Sequence, residues 1–246
     1  GDIGFDKFLS QLPDVKAIYD CVDEQTKALA QAAYGYDDVK VGDWPHVDGF
    51  FKGDGLRMFN KKHDVQEEEL KVKSVELDVS YIPGFSGVLP VVRTKDFKQS
   101  NGSLSVVDDT VLVVDGDFSL GGGGGGSLIF ENDNASLVVF VKGEVDIHSS
   151  LDMQGVSVDN EEGEPRLSIY SVGDDVDVDG SAHVAARIYA PKAEVDVEGS
   201  AKLRGAVWGG EVGVSGSGSI MSEGGLMLGA SNAISDSGYW QPYFLR

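Results

Sequence analysis

The sequence predicts a mainly β protein: a short right-handed parallel β-helix, or solenoid, preceded by an N-terminal α-helical segment. Three observations carry this expectation. An aliphatic–aromatic pair, a turn and a Val-x-Val/Ile strand recur through the C-terminal half. The aromatic members Tyr170, Tyr189 and Trp208 follow one another at intervals of 19 residues. Glycine is abundant, 33 residues in 246, which suits a chain with many tight turns.

The N-terminal stretch reads as helix. Phe5, Phe8, Leu9 and Leu12, then Val15, Ile18, Tyr19 and Val22, recur at steps of three and four residues and so share one face. Pro13 interrupts the run and Asp14 can cap a restart, giving two short helices or one kinked helix. Gln25 to Ala33 continues it, and Gly35 can end it. Without a Lys/Arg-rich polar face, such a helix is expected to pack on its own domain rather than lie on a membrane surface. From Leu70 the pattern changes. Val75, Leu77, Val79 and Tyr81 alternate as a strand does, and Pro83-Gly84 marks a turn. The expected organisation is a helical cap over 1–36, a mixed β lead-in over 37–103, a parallel solenoid over 104–230, and an aromatic C-terminal cap over 231–246.

Four segments define the repeat: Leu137 to Ile147, Ser168 to Val178, Arg187 to Val197, and Ala206 to Val214. Their aromatic positions are Phe140, Tyr170, Tyr189 and Trp208. The polar run Asp159 to Glu164 reads as a loop inserted between the first two copies, and Leu112 to Leu120 as a fainter earlier copy. A unit near 19 residues is too short to fold alone. Stacking such units buries columns of Val, Ile and Leu and sets each strand beside its equivalent, about 4.8 Å away. An antiparallel sandwich is the rival, but it gives no reason for a fixed aromatic interval. Handedness follows from the crossover rule for parallel strands.

The cadence Ile188-Tyr-Ala-Pro-Lys-Ala-Glu-Val-Asp-Val-Glu-Gly-Ser-Ala201, followed by Leu203-Arg-Gly-Ala-Val-Trp-Gly-Gly210, resembles a bacterial β-helix domain. That domain occurs in exported proteins associated with type IV pili and MSHA-type pilus biogenesis, many of unknown function. The resemblance spans roughly Leu137 to Ser222. It implies an extracytoplasmic structural or adhesive module at the cell surface or in the periplasm, with surface or pilus proteins, or glycans, as partners. It supplies no catalytic residues. Gly1 in place of an initiator methionine is expected of a processed or trimmed form whose export signal lies outside this sequence.

Composition excludes several classes. The net charge of -21 repels phosphate backbones, and without a local basic patch no nucleic-acid partner is expected. No apolar run approaches the roughly 18 residues of a spanning helix. Cys21 is the sole cysteine, so neither an intrachain disulfide nor a cysteine zinc cluster can form. His46, His63, His148 and His183 lack metal-ligand spacing, and Gly121 to Gly126 is not followed by the Lys-Ser/Thr of a phosphate loop.

The repeat also places charge. In Asp175-Val-Asp-Val-Asp179 the valines point inward and the aspartates share the outer face. Adding 19 sets Glu194, Asp196 and Glu198 over Asp175, Asp177 and Asp179, with Glu144 and Asp146 extending the columns. Between Leu104 and Ser200 there are 20 acidic residues and 4 basic ones. Stacked carboxylates repel. Screening by salt, raised carboxylate pKa values or a bound cation relieves this. No cofactor is required, and Ca²⁺ is the candidate ion, held weakly on a surface ladder of Asp175, Asp177, Asp179, Glu194, Asp196 and Glu198. An EF-hand is excluded because Ala186 stands where the closing Glu belongs.

No enzymatic activity is expected. Many parallel β-helices cleave acidic polysaccharides, and Asp174 with Asp175 could serve as acid and base. Here they belong to a charge ladder, with only Arg166, Arg187 and Lys192 nearby to bind a polyanion. The column Tyr170, Tyr189 and Trp208 is expected to be an interior ladder; facing outward, it becomes a carbohydrate-stacking platform. The tail Tyr239-Trp-Gln-Pro-Tyr-Phe244 is expected to fold back over the last coil, since an open end exposes a sheet edge.

Overall fold

The computed structural model describes residues 87–222 apart from 100–101, 123–125, 149–150, 152, 154–155 and 162–164, together with residues 16–17, 20 and 23–24 and five short upstream strands. Those strands are β1 (Val39–Val41), β2 (Phe50–Gly53), β3 (Leu56–Phe59), β4 (Glu69–Leu70) and β5 (Val75–Asp78). The expected aromatic cap over 231–246 lies outside the described residues. So does most of the N-terminal helical segment, of which Lys16, Ala17, Asp20, Asp23 and Glu24 have helical backbone.

The rest is strand. In chain order follow β6 (Val88–Thr94), β7 (Phe97–Gln99), β8 (Gly102–Val106), β9 (Thr110–Val114), β10 (Phe118–Leu120) and β11 (Gly126–Phe130). Then come β12 (Leu137–Val141), β13 (Val145–Ile147), β14 (Leu167–Ser171), β15 (Asp175–Val178), β16 (His183–Val197), β17 (Lys202–Val214) and β18 (Ser219–Ser222). Strands β2, β3, β4, β8 and β11 form a five-stranded sheet, and the others one thirteen-stranded sheet. Among the described strand pairs only β2–β3, β3–β8 and β5–β6 are antiparallel. From β9 onward every paired strand runs parallel to its neighbour. The antiparallel sandwich is thereby excluded over the repeat.

Pairing follows the repeat residue by residue. One file reads Val92, Leu112, Val139, Ile169, Ile188 and Val207 across β6, β9, β12, β14, β16 and β17. A second reads Phe97, Phe118, Val145, Val176, Val195 and Val212 across β7, β10, β13, β15, β16 and β17. A third joins Val184, Leu203 and Ile220. All of these side chains belong to, or pack against, a single main core. Phe97 and Phe118 stack with ring centroids 5.3 Å apart. Parallel pairing also extends upstream of residue 104: β6 pairs with β9, β7 with β10, and β1 with β7. The interval shortens once: a register irregularity between Ala190 and Glu194 sets Glu194 opposite Glu211.

The two flanks differ in burial. In β13 and β15 residues alternate between the core and a partly exposed outer face, the pattern of a sheet wetted on one side. In β9, β12 and β14 every residue is buried. Parallel strands covered on both faces have this continuous apolar character.

Glycine sets one corner. Gly180, Gly199 and Gly216 occupy equivalent turns with φ of 66°, 67° and 64°. Ser200 N donates to Gly180 O and Ser217 N to Gly199 O, each at 2.6 Å. A Cβ on Gly199 would lie 2.9 Å from Gly180 O. Gly199→Ala therefore combines left-handed backbone strain with a backbone contact that cannot relax cheaply. The expected loss is about 1–2 kcal/mol, read as a lowered urea midpoint with an unchanged m-value.

Candidate functional site

The acidic columns form in the predicted register. Asp175 lies opposite Glu194 and Asp177 opposite Asp196, while Asp146 lies opposite Asp177 on the other side. Asp179 and Glu198 follow their strands equivalently: Asp179 N donates to Ile147 O and Glu198 N to Val178 O, both at 2.9 Å. Val176, Val178, Val195 and Val197 between them are fully buried, so strand alternation alone turns the carboxylates outward. The structure also shows how the central column ends. Upstream of Asp146 stand Ser119 and then Lys98. Downstream of Asp196 stands Gly213, and Asp196 Oδ1 occupies the space that a Cβ there would need, 1.9 Å from its ideal position.

The electrostatic consequence is visible at Asp177. Partial burial, then Asp175, Asp146, Asp196 and Glu198, push its carboxyl up to about 6. Glu144, fully exposed, is also raised, first by Asp117. Raised carboxylate pKa values were one of the three expected ways of relieving the repulsion. The sign for stability follows directly. A folded-state pKa above the unfolded value of about 3.9 gives a contribution that is complete below pH ~4 and lost as pH rises through about 6. Because Asp177 is only partly buried, the size is discounted for solvent screening to roughly 1 kcal/mol or less. Melting temperatures measured from pH 4 to 7 are expected to fall more steeply for the parent than for Asp177→Asn.

Asp175, Asp177, Asp179, Glu194, Asp196 and Glu198 thus share one face, spread along it in columns. Among the described residues no three His, Cys, Asp or Glu side chains converge to hold a metal ion. His148 Nδ1 lies 3.3 Å from Asp179 Oδ2 at the edge of this face.

The aromatic column also forms, but on the other side from that expected. Tyr170 pairs with Phe140 and Tyr189, and Tyr189 with Trp208. Ring centroids are 5.1 Å apart for Phe140–Tyr170, 6.2 Å for Tyr170–Tyr189 and 6.2 Å for Tyr189–Trp208. The neighbours Ile169, Ile188 and Val207 take the main-core positions, and adjacent strand residues face opposite ways. The interior ladder is therefore corrected to an outer one. Phe140 and Tyr170 belong to a second apolar cluster with Val91, Val111, Val113 and Val138, against which Tyr189 packs. Exposure rises along the column from Phe140 at 0% to Tyr170 at 8%, with Tyr189 and Trp208 half-buried. Burial pushes the Tyr170 phenol up to about 12.

Polar contacts that sequence reasoning missed border this cluster. Arg187, two residues before Tyr189, donates to Asp159 Oδ1 at 2.6 Å. Arg166 lies over the Phe130 ring at 5.5 Å and donates to Asn132 O at 3.1 Å. Both arginines thus hold turns rather than stand as loose cations for a polyanion. At the other end Arg93 binds Asp115 and Asp23. These partners are 28 to 70 positions apart, except Arg93 and Asp115 at 22, and no local pattern announces them.

Fold and surface together define a mainly β, almost wholly parallel protein with one carboxylate-lined face and one aromatic-lined face. The chain belongs to the family described as Domain of unknown function (DUF7305), whose model matches residues 96–227, more than half of the sequence. Searches of curated proteins and of solved structures found no match. Among the described residues no helix is long and apolar enough to cross a membrane.

Proposed function

We propose that this chain is a non-catalytic structural or adhesive module, wound as a short right-handed parallel β-solenoid of five or six turns and displayed outside the bacterial cytoplasm, at the cell surface or on a pilus. The observation that carries this reading is the strand-by-strand pairing of the two files from β6 or β7 to β17, with one register irregularity between Ala190 and Glu194, as expected if each repeat rests on the one before it. Such a stack gives a rigid support for repeated side chains. Its carboxylates sit in a ladder, a pattern suited to a solvated, repulsive outer face rather than to a paired acid and base.

Its partners are surface or pilus proteins, or glycans. Immunolabelling of intact cells of the source bacterium, with adherence compared between parent and deletion strains, tests the proposal. Surface label and reduced adherence or piliation are expected; a protein confined to the cytoplasm would sink it. A second reading, carbohydrate binding, is favoured by Tyr189 and Trp208, the half-buried end of the aromatic column. A glycan array with Trp208→Ala as control separates the two, and an ultraviolet assay for unsaturated uronates is expected to stay silent.

Calcium belongs to the same proposal as a weak, delocalised counterion of the acidic columns. CaCl₂ is expected to raise the melting temperature by a few degrees, with moderate NaCl acting in the same direction through screening. No change with either salt would remove the ion ladder.

A further inference from the structure

The apolar files lose their burial at the last repeat. Val195 and Val197 are fully buried, yet their partners in β17 are not: Val212 is half-buried and Val214 is 47% exposed. Val207 opposite Ile188, and Ile220 opposite Leu203, are likewise half-buried. Along one side, Glu211–Val214 pairs with Glu194–Val197 of β16. Among the described residues no strand lies on the other side, and β18 pairs only with Lys202–Gly205. The last repeat therefore presents core-file side chains beside an unpaired strand edge.

The sequence removes charge from the same place. Arg187 to Gly205 contains seven charged residues, whereas Ala206 to Ser222 contains Glu211 alone. Two of the acidic columns stop one repeat short. Gly213 stands opposite Asp196. Ser215, whose N donates to Val197 O at 3.0 Å, takes the place that Glu198 holds one repeat earlier. Exposed strand edges are ordinarily blunted by lysine, proline or inward-pointing charge. Neither Lys, Arg nor Pro occurs between Ala206 and Ser222. A chain of net charge -21 meets its own copy with least repulsion where its charges are missing.

The opposite margin of the sheet is built differently. There β6 is flanked by antiparallel β5, and β7 by β1, and the two strands with their turn carry Arg93, Lys95, Asp96 and Lys98. That charged, strand-covered margin does not match the uncharged one, but the uncharged margin matches itself.

We propose that the free edge of β17 over Glu211–Val214, with Val212, Val214 and Ile220 beside it, is the docking surface for a second copy of this chain, joined tail to tail about a two-fold axis. Such a contact pairs the edge with its own antiparallel mate and covers the valines of both copies. Because the same surface is used on each side, the assembly closes at two, leaving the acidic columns of both copies in solvent.

Sedimentation velocity of the full chain, run in EDTA over about two decades of concentration, tests this together with hydrogen exchange at both ends of that range. EDTA removes any association bridged by Ca²⁺ through the acidic face. A monomer–dimer equilibrium is expected, with peptides covering 206–222 exchanging more slowly at high concentration and peptides covering 88–99 unchanged. Val214→Asp is expected to weaken the dimer about tenfold or more by setting like charges against each other. If Val214→Asp also lowers the urea midpoint, Ser215→Asp, at an exposed position beside the same edge, reads the contact without touching the core, with a weakening of about threefold or more expected. A monomer at every concentration would overturn the proposal, as when residues 223–246 cover this end instead. So would growth beyond two copies, slowed exchange at 88–99, or a dimer indifferent to both substitutions.

Discussion

Val195→Asp is expected to abolish the cooperative native state or lower its stability by at least about 4 kcal/mol. Val195 is fully buried between Val176 and Val212 in the main core. A carboxylate there has no cation within its column, and an unpaired buried charge costs several kcal/mol even after local relaxation. That is a large share of the 5–15 kcal/mol that holds a typical domain together. Asp196→Asn, one residue on, provides the control. It removes a charge from the repelling column beside Asp177 and should leave stability unchanged or slightly higher. Urea melts of both variants check the pair. Similar midpoints for Val195→Asp and the parent would mean that the alternation along β16 is wrong.

Phe140→Ala is expected to cost about 3–5 kcal/mol, the range for a fully buried phenylalanine. This prediction bears on the outer face. Phe140 points away from the main core, and on an open sheet face its truncation would cost under ~1 kcal/mol. Here it has no exposed surface and stacks on Tyr170 at 5.1 Å. Trp208→Ala, at the half-buried end of the same column, should cost clearly less. Equal effects at the two positions would show that burial does not decrease from the start to the end of the ladder.

Much of the pairing was legible because the repeat is a spacing rule. An interval of 19 between Tyr170, Tyr189 and Trp208 is met by matching each strand with the next copy, and the pairs that join Ser168–Tyr170, Asp175–Val178 and His183–Ala190 to the next copy follow from it, whereas Glu194 to Val197 pair 17 residues on. The acidic columns came from the same rule plus strand alternation. The sidedness of the aromatics did not. Alternation states that Ile188 and Tyr189 face opposite ways, but it does not say which of the two sides is also covered. A signal was present: Val111 to Val114 and Leu137 to Val141 are unbroken apolar runs, whereas Asp175 to Val178 alternates. Continuous runs mark strands buried on both faces, and they locate the second cluster.

The sequence by itself determined the parallel register of the repeat, the inward valines and the outward carboxylates, because these depend on strand alternation and on the 19-residue interval of Tyr170, Tyr189 and Trp208, both of which are displayed locally. Only the tertiary structure decided that one flank is covered on both faces, that Arg93 gathers Asp23 and Asp115, and that Asp177 holds its proton more tightly than a free aspartate. Those outcomes depend on groups brought together from distant positions, and on how much water remains between them. Neither is encoded in the spacing of neighbours.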